Sequence, residues 1–381
     1  MSRQLVACML NVSEARRRDV VEKIAKEALA AVNPPKVKPI ASDWAINATA
    51  LNIFQDIDYN RSVITLVSSE DCIGPCVEAA CEKAYELIDL SHHEGVHPRL
   101  GAVDLVPLHP ISEDVSLPNL GQVARVLPPS SLARPHSPTF PPRLLTIRDP
   151  AADACLPSFR TARHQHLPPE SEGRGREAEA SGVAERLTKT VPGSSFFLFG
   201  AGDPAGRGLV ARRKEVGWFR RPVTYHALAH DLGSTPTERY GLTGVGAIPY
   251  MMNVNVTLDS ADVALGRRVA SALRATSPGG LPGVQSMAFP HEGRVEVACN
   301  VDLLPASEAP ASHSMKASLG GRYFYTPPEQ IEARVLEEAG GVGVVGTALV
   351  GFSPEEARGL ALHALAHAHD EAWRDVARRR M

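Results

Sequence analysis

The residues best suited to chemistry lie together in one short stretch, Ser91-His92-His93-Glu94-Gly95-Val96-His97-Pro98-Arg99. His93 through His97 spell H-E-x-x-H. On a helix this pattern would place two imidazoles on one face to hold zinc, with the glutamate as base. The local sequence opposes a helix. Gly95 weakens one, and Pro98 pushes His97 out of the right-handed helical region toward extended backbone. The helical stripe before it also ends near Leu90, where a polar run begins. The expectation is therefore a stiff loop between a helix and a strand. A neutral imidazole there can take or give a proton near neutral pH. Arg99 would lower the pKa of such an imidazole, and Glu94 would raise it. A surface loop with incidental histidines has the same spacing, and the pattern alone does not separate the two.

Other constellations are weaker. Asp56-x-Asp58 with Arg61 can orient a polar ligand at a strand end, or simply make a turn. Gly241-Leu242-Thr243-Gly244-Val245-Gly246 lacks the lysine of a phosphate loop and runs into a strand, so no helix N-terminus meets a phosphate. Its glycines would still let a flat ligand approach backbone amides. His363 and His367 share a helix face at i, i+4 with no third ligand in view, which reads as helix surface. Cys76 and Cys81 are about 140° apart around a helix, and Cys81 fits the apolar stripe, so a core thiol is expected.

The elements that must position these residues follow from periodicity. Residues 4–10 read as a buried strand, with Asn11 and Ser13 as helix-start residues before a helix over 14–31. Two strands flank a turn at Tyr59-Asn60, a helix covers 75–90, and a strand covers 102–108. This β-α-β-β-α-β order describes a sheet with helices on one side. From Val126 to Ala178 the chain has ten prolines and no sustained period. It reads as an insertion without a core of its own. Order resumes with a short helix, a strand at 195–199 and a helix within 206–220. A Gly/Ser/Thr-rich loop follows at 231–247, then the alternating strand Ile248–Leu258. A second unit has a helix at 260–275 and a hairpin turning at Pro290-His291-Glu292-Gly293. It continues with a helix at 327–339, an apolar strand taken as buried near 341–352, and a last helix at 354–377 capped by Ser353.

The 381 residues can fill more than one core, and their formal net charge of −3 points to neither nucleic acid nor membrane. The Arg378-Arg379-Arg380 end reads as a solvated terminus. No stretch is apolar and long enough to span a bilayer, and the N-terminus does not read as a signal peptide. A cytoplasmic protein is expected, with its six cysteines as free thiols.

Four segments together resemble the formiminotransferase family. "SHHEGVHPRLGAVDLVP" is similar to its R-H-x-G-x-H-P-R-M-G-A-x-D hallmark. "LVACMLNVSEARRRDVVEKIA" resembles its opening strand and helix. "QDIDYNRSVITLV" is similar to its D-x-D and N-R-T-V segment, and "DLGSTPTERYGLTGVGAIPYMMNVNV" to its folate-contacting loop. The likeness runs through 1–122 and 182–257, and more weakly through 282–381. It is to short members with only the transferase part. The resemblance implies an α+β or α/β fold of two subdomains, 1–257 and 258–381. Each would be a mixed β-sheet with helices on its outer side, and the sheets would face each other.

The activity implied is transfer of a formimino group between N-formimino-L-glutamate and tetrahydrofolate, a co-substrate, with no metal. Carried over residue by residue, the catalytic histidine falls on His97. Binding positions fall on Asp58, Arg99, Gly233, Ser234, Thr235, Tyr240 and Gly241. The partners implied are these small molecules and a possible homodimer through the first subdomain. The chain departs from the pattern at Val96, where the family has an acid, and at Tyr240, where it has Trp. Residues 35–48 and 126–178 look foreign and are expected to loop out. The alternative reading is a folate-binding homologue of the same fold without turnover.

Overall fold

The alternation of apolar residues in the first strand explains the architecture. In the computed structural model, which describes residues 4–33, 39–41, 43–95, 99–125, 182–217, 224–310 and 315–375, β1 (Leu5–Val12) sends its two faces to different cores. Val6, Cys8, Leu10 and Val12 join one cluster, whereas Leu5 and Ala7 join another. Both faces are buried, so the strand reads as a continuous apolar run. The described residues belong to one unit of the chain, and a second unit, Pro128–Ala180, lies outside them. The expected insertion 126–178 also falls outside the described residues.

The first core lies beneath two helices. α1 (Arg18–Val32) buries Val21, Ile24, Ala25, Ala28 and Leu29 at helical spacing. It starts later than the Asn11–Ser13 signal suggests. Glu14, not Ser13, takes the amides before it: its carboxylate accepts the N–H of Arg16 (2.9 Å) and Arg17 (3.0 Å). Strands β2 (Ala48–Asp56) and β3 (Arg61–Ser69) form the expected hairpin. α2 (Glu70–Leu87) begins five residues before the expected start at 75 and carries Pro75 inside its second turn. β4 (Val103–Pro110) and α3 (Leu117–Ala124) follow. Beyond the undescribed segment come α4 (Val183–Thr190), β5 (Ser195–Gly200), α5 (Leu209–Glu215), β6 (Leu232–Gly233) and β7 (Thr243–Ala247). These seven strands make one mixed sheet in the order β2-β3-β1-β4-β7-β5-β6. β4, β7 and β5 run parallel, and the other pairs are antiparallel.

The sequence from Ile248 to Leu258 reads as one strand, but that strand starts only at Met251, and a further strand lies within 231–247, which reads as a loop. β7 ends at Ala247 in the first sheet, and β8 (Met251–Leu258) belongs to a second sheet. The chain crosses between them at Ile248-Pro249-Tyr250, where proline cannot supply a ladder N–H. The second unit contains α6 (Val263–Leu273), β9 (Val284–His291) and β10 (Arg294–Asp302). A small three-stranded sheet follows, of β11 (Leu304–Pro305), β12 (Lys316–Ser318) and β13 (Tyr323–Tyr325). Then come α7 (Pro328–Glu338), β14 (Val344–Val350) and α8 (Pro354–Ala366). The four-stranded sheet, β14-β8-β10-β9, is antiparallel throughout. Val254, Val256, Val297 and Cys299 pack in one core with residues of α6 and α7. The two units are thus α+β layers with helices on their outer sides.

Three local expectations change in the tertiary structure. β14, expected to be buried, is an edge strand with a single neighbour, and Val345 is 54% exposed. The stretch 35–48 does not simply loop out: Trp44 is buried in the second core, and Ala45 N–H donates to Leu365 O at 2.7 Å. Residues 34–38 and 42 within or beside it lie outside the described residues. The last helix keeps its Ser353–Glu356 capping box but stops at Ala366. Ala368 then turns the chain with φ +55°, so the His369 ring comes within 5.9 Å of His363 and 6.3 Å of His367. Even with this third imidazole, no group of three or more His, Cys, Asp or Glu is arranged to hold a metal among the described residues.

Candidate functional site

The site is built from loops at the strand ends of the first sheet, stitched together by backbone. After α2 ends at Leu87, a 3-10 turn covers Leu90–His92, capped by the Asp89 carboxylate, and His93 is extended (φ −75°, ψ 126°). His93 is therefore off any helix, and the zinc-protease geometry is lost for a positive reason. The segment around it meets three others. Asn60, with φ +46°, bridges two of them: its amide donates to Glu94 O (3.1 Å), and its carbonyl accepts from Ala15 N–H (2.9 Å). Gly95 passes so close to the hairpin turn that a Cβ would sit 2.5 Å from Tyr59 O. This is where the glycine is needed. Val96, His97 and Pro98 lie outside the described residues, so the expected catalytic histidine does too.

Arg99 is the centre of the charge arrangement. Its side chain is 2% exposed, and its three nitrogens have separate partners. Nη2 donates to Asn11 Oδ1 (2.6 Å), Nε to Ser13 Oγ (2.9 Å), and Nη1 stands 3.6 Å from Asp104. Ser13 Oγ in turn donates to Gly101 O at 2.6 Å. The two residues expected to start a helix thus hold this guanidinium instead. Asp104 accepts Leu100 N–H (2.9 Å) and, on its other oxygen, Arg213 Nη2 (2.8 Å). Burial pulls the Arg99 pKa down to about 10 against the opposing pull of Asp104, with Arg61 and Arg213 adding repulsion. Burial likewise lowers Arg213. Two cations thus share one buried carboxylate, a cluster that favours an additional anion.

His93 lies beside this cluster. Its Nδ1 donates to Ser13 O at 3.2 Å, which fixes the neutral tautomer as Nδ1–H. Its Nε2 is buried without a hydrogen-bond partner among the described residues. Burial first, and Arg99 second, hold its pKa below the ordinary histidine value. His93 is thus a neutral imidazole with a lowered pKa beside the cluster, whereas His97, the histidine expected to act, lies outside the described residues.

The glycine-rich loop runs along the same segment. Leu90 N–H donates to Arg239 O (2.9 Å), Ala102 N–H to Tyr240 O (2.9 Å), and Leu242 N–H to Leu100 O (2.7 Å). Gly241 has φ +68°, and a Cβ there would lie 2.1 Å from Leu100 O. The Tyr240 ring turns into the helix-side core, edge-on to Tyr85 at 5.2 Å. Gly233, Ser234 and Thr235 are exposed and lie against the start of β5, with Ser234 N–H donating to Ser194 O at 2.9 Å. Asp58 is exposed at the β2–β3 turn. Five strand steps of ~4.8 Å separate β3 from β6, so Asp58 and Gly233 stand about 24 Å apart across the sheet. Arg99 and Gly241 are brought together, whereas Asp58 and Gly233–Thr235 stand on either side of them.

Facing this surface is the polar side of the second sheet. β8 alternates buried Met252, Val254, Val256 and Leu258 with half-buried Asn253, Asn255 and Thr257. Asn253 Nδ2 donates to Asn300 Oδ1 at 2.6 Å. At the hairpin end the two units touch: His291 lies 3.9 Å from Asp56 and 4.0 Å from Glu296, and the Phe289 ring meets Tyr59 edge-on. Asp56, the first acid of the D-x-D pair, makes the contact between units. Asn11, Ser13, His93, Asp104, Arg213, His291 and Glu296 were missed as site residues. The alternation of Asn253, Asn255 and Thr257 was a usable signal for a second polar surface. Arg213 and Asp104, 109 residues apart, had none.

Fold and site together define a class: a two-unit α+β protein with a polar, cation-rich face suited to small anionic molecules. Residues 5–141 match the family described as the formiminotransferase domain, N-terminal subdomain. The chain is 26% identical over 338 residues to a glutamate formimidoyltransferase from Thermoplasma acidophilum, covering 88% of this chain and 89% of that one. It is 27% identical over 364 residues to a formiminotransferase cyclodeaminase-like protein from Arabidopsis thaliana, covering 87% and 97%. With a mouse formimidoyltransferase-cyclodeaminase it shares 32% identity over 112 residues, 28% of this chain and 17% of the mouse protein. The chain thus resembles the formiminotransferase domain over residues 5–141 and is similar over most of its length to a named glutamate formimidoyltransferase.

Proposed function

We propose that the protein moves a formimino group between N-formimino-L-glutamate and tetrahydrofolate. The observation that carries this reading is the buried Arg99–Asp104–Arg213 cluster, set beside the loop that leads to His97. A cation surplus held in place before substrate arrives suits a carboxylate-bearing substrate at little cost in reorganisation. The match of residues 5–141 to the formiminotransferase domain supports the same chemistry, as do the names of the relatives that span most of the chain.

In the reaction, a folate amine attacks the formimino carbon and a tetrahedral centre forms that carries the former imino nitrogen and both amine nitrogens. The attacking nitrogen gives its proton to His97, and the imidazolium returns it to the glutamate nitrogen as that C–N bond breaks. Pro98, directly after His97, restricts the backbone conformations open to it. Arg99, Gly241 and the flanking amides orient the substrates, with Gly233, Ser234, Thr235 and Tyr240 to one side of them and Asp58 to the other. No step calls on a metal. We assign 1–257 and 258–381 as the two functional subdomains, working in the cytoplasm as a possible homodimer.

The test is a transfer assay with formiminoglutamate and tetrahydrofolate, on the full chain and on one lacking 126–178. Turnover that His97→Ala abolishes, with tetrahydrofolate still bound, is the expected result. Unchanged rates in that variant would remove His97 from the mechanism. Tight folate binding with no transfer in any form would favour the non-catalytic homologue, for which the replacement of the family acid by Val96 is the supporting observation.

A further inference from the structure

Arg61 opens β3 directly opposite Asp56 of β2. Val67 of the same strand joins the second core, and Ile64 and Leu66 join the first. By the two-residue repeat, Val63 and Arg61 therefore point to the side of Val67, toward the second unit. The residue is half-buried. Its Nε is shielded from solvent and has no hydrogen-bond partner among the described residues. It lies over the Tyr59 ring, 5.6 Å from the centroid, and among the described residues no ion pair within 4.0 Å engages it.

The acids that could have satisfied it are used elsewhere. Asp56 accepts Tyr59 N–H (2.9 Å) and faces His291 (3.9 Å), and Glu296 bonds to Asn255 and faces His291 (4.0 Å). Arg61 attracts Glu296 from a distance, and on its other side it feels the like charges of Arg99 and Arg213. A guanidinium whose Nε is shielded from water and unbonded gains most from a bidentate carboxylate. The surroundings supply what such a ligand needs: an aromatic ring under the planar cation, a second cation group nearby, and the uncharged Asn253, Asn255 and Asn300 across the gap.

We propose that Arg61 receives a carboxylate of a bound substrate in the space between the two sheets. This rests on the transferase reading for the identity of the substrate, since both formiminoglutamate and the glutamyl end of folate carry such a group. Arg61 binds and orients this group and moves no proton.

The test measures dissociation constants by calorimetry on the full chain, unmodified and as Arg61→Gln and Arg61→Lys. The probes are L-glutamate, tetrahydrofolate and 6-methyltetrahydropterin, which has no carboxylate. Arg61→Gln should weaken a carboxylate probe roughly 10- to 100-fold, the worth of a lost charge-assisted pair. Arg61→Lys should recover part of that loss. Weakened L-glutamate assigns the site to the amino-acid substrate. Weakened tetrahydrofolate with unchanged 6-methyltetrahydropterin assigns it to the folate tail. If all three probes bind equally to the unmodified and Arg61→Gln chains, the proposal is overturned, as it is by equal weakening of 6-methyltetrahydropterin or by an unmodified chain that binds none of them. Should Arg61→Gln fail to melt cooperatively, Arg61→Lys carries the comparison. L-Glutamate binding without any transfer would overturn the transferase reading and leave this site standing.

Discussion

Asp104 shows how much one side chain can decide. It is 1% exposed and takes bonds from Leu100 N–H and Arg213 while facing Arg99 at 3.6 Å. Asp104→Asn keeps an acceptor for Leu100 but removes the negative charge that two buried guanidiniums face. Removing one partner from a buried ion cluster costs about 3–5 kcal/mol, so the urea midpoint of this variant should drop sharply at pH 7. An unchanged midpoint would mean that Arg99 and Arg213 are solvated well enough without the carboxylate. The same residue accounts for the order of the loop. Through Leu100 it holds the segment that Ser13 and Gly241 clasp from either side.

At the scale of elements, the crossing that joins the two sheets is held by a histidine. His109, near the end of β4, is fully buried. Its Nδ1–H is shared between Ile248 O (3.2 Å) and Pro249 O (3.1 Å), the residues at which the chain leaves the first sheet. Burial pulls its pKa down to about 4, against smaller upward contributions from those two bonds. The folded state therefore prefers the neutral ring. An unfolded chain, with histidine near pKa ~6.5, binds the extra proton first. The contribution to stability is complete above about pH 6.5 and is lost as pH falls toward 4, on the order of 3 kcal/mol in all. Urea midpoints measured between pH 7 and pH 4.5 should fall in the unmodified protein, and less steeply in His109→Gln. Parallel curves for the two would show that other groups carry the acid sensitivity.

Across the whole molecule, the packing of the two units depends on a residue outside the regular elements. Trp44 packs in the core that contains Leu5, Ala7 and Val67 of the first sheet, Val254 and Val256 of the second, and Ala361 and Leu365 of α8. Next to it, Ala45 N–H donates to Leu365 O, and Thr49 Oγ1 donates to His369 O at 2.7 Å. These bonds tie the segment before β2 to the end of the chain. Truncating a buried aromatic of this size costs ~3–5 kcal/mol. Trp44→Ala should lower the urea midpoint accordingly and broaden or split the transition as the units uncouple. A small, single shift would show that the units stay docked without it.

The amino-acid sequence by itself determined most elements from β1 to β4, the hairpin at His291 and the failure of H-E-x-x-H as a helix. Each depends on interactions within a few residues: alternation in strands, the 3.6-residue stripe, and proline and glycine at fixed positions. The family likeness was legible for the same reason, since its motifs are short and contiguous. Only the tertiary structure decided which distant groups meet. Asn11 and Ser13 read as helix-start residues until Arg99, more than 80 residues away, claimed them. β14 read as buried because its apolar run carries no charge, yet sheet order left it at an edge. Asp56, Tyr59 and Arg61 read as a turn until the β9–β10 hairpin came against them. Long-range docking balances burial against desolvation over the whole surface, and no window of neighbouring residues contains that sum.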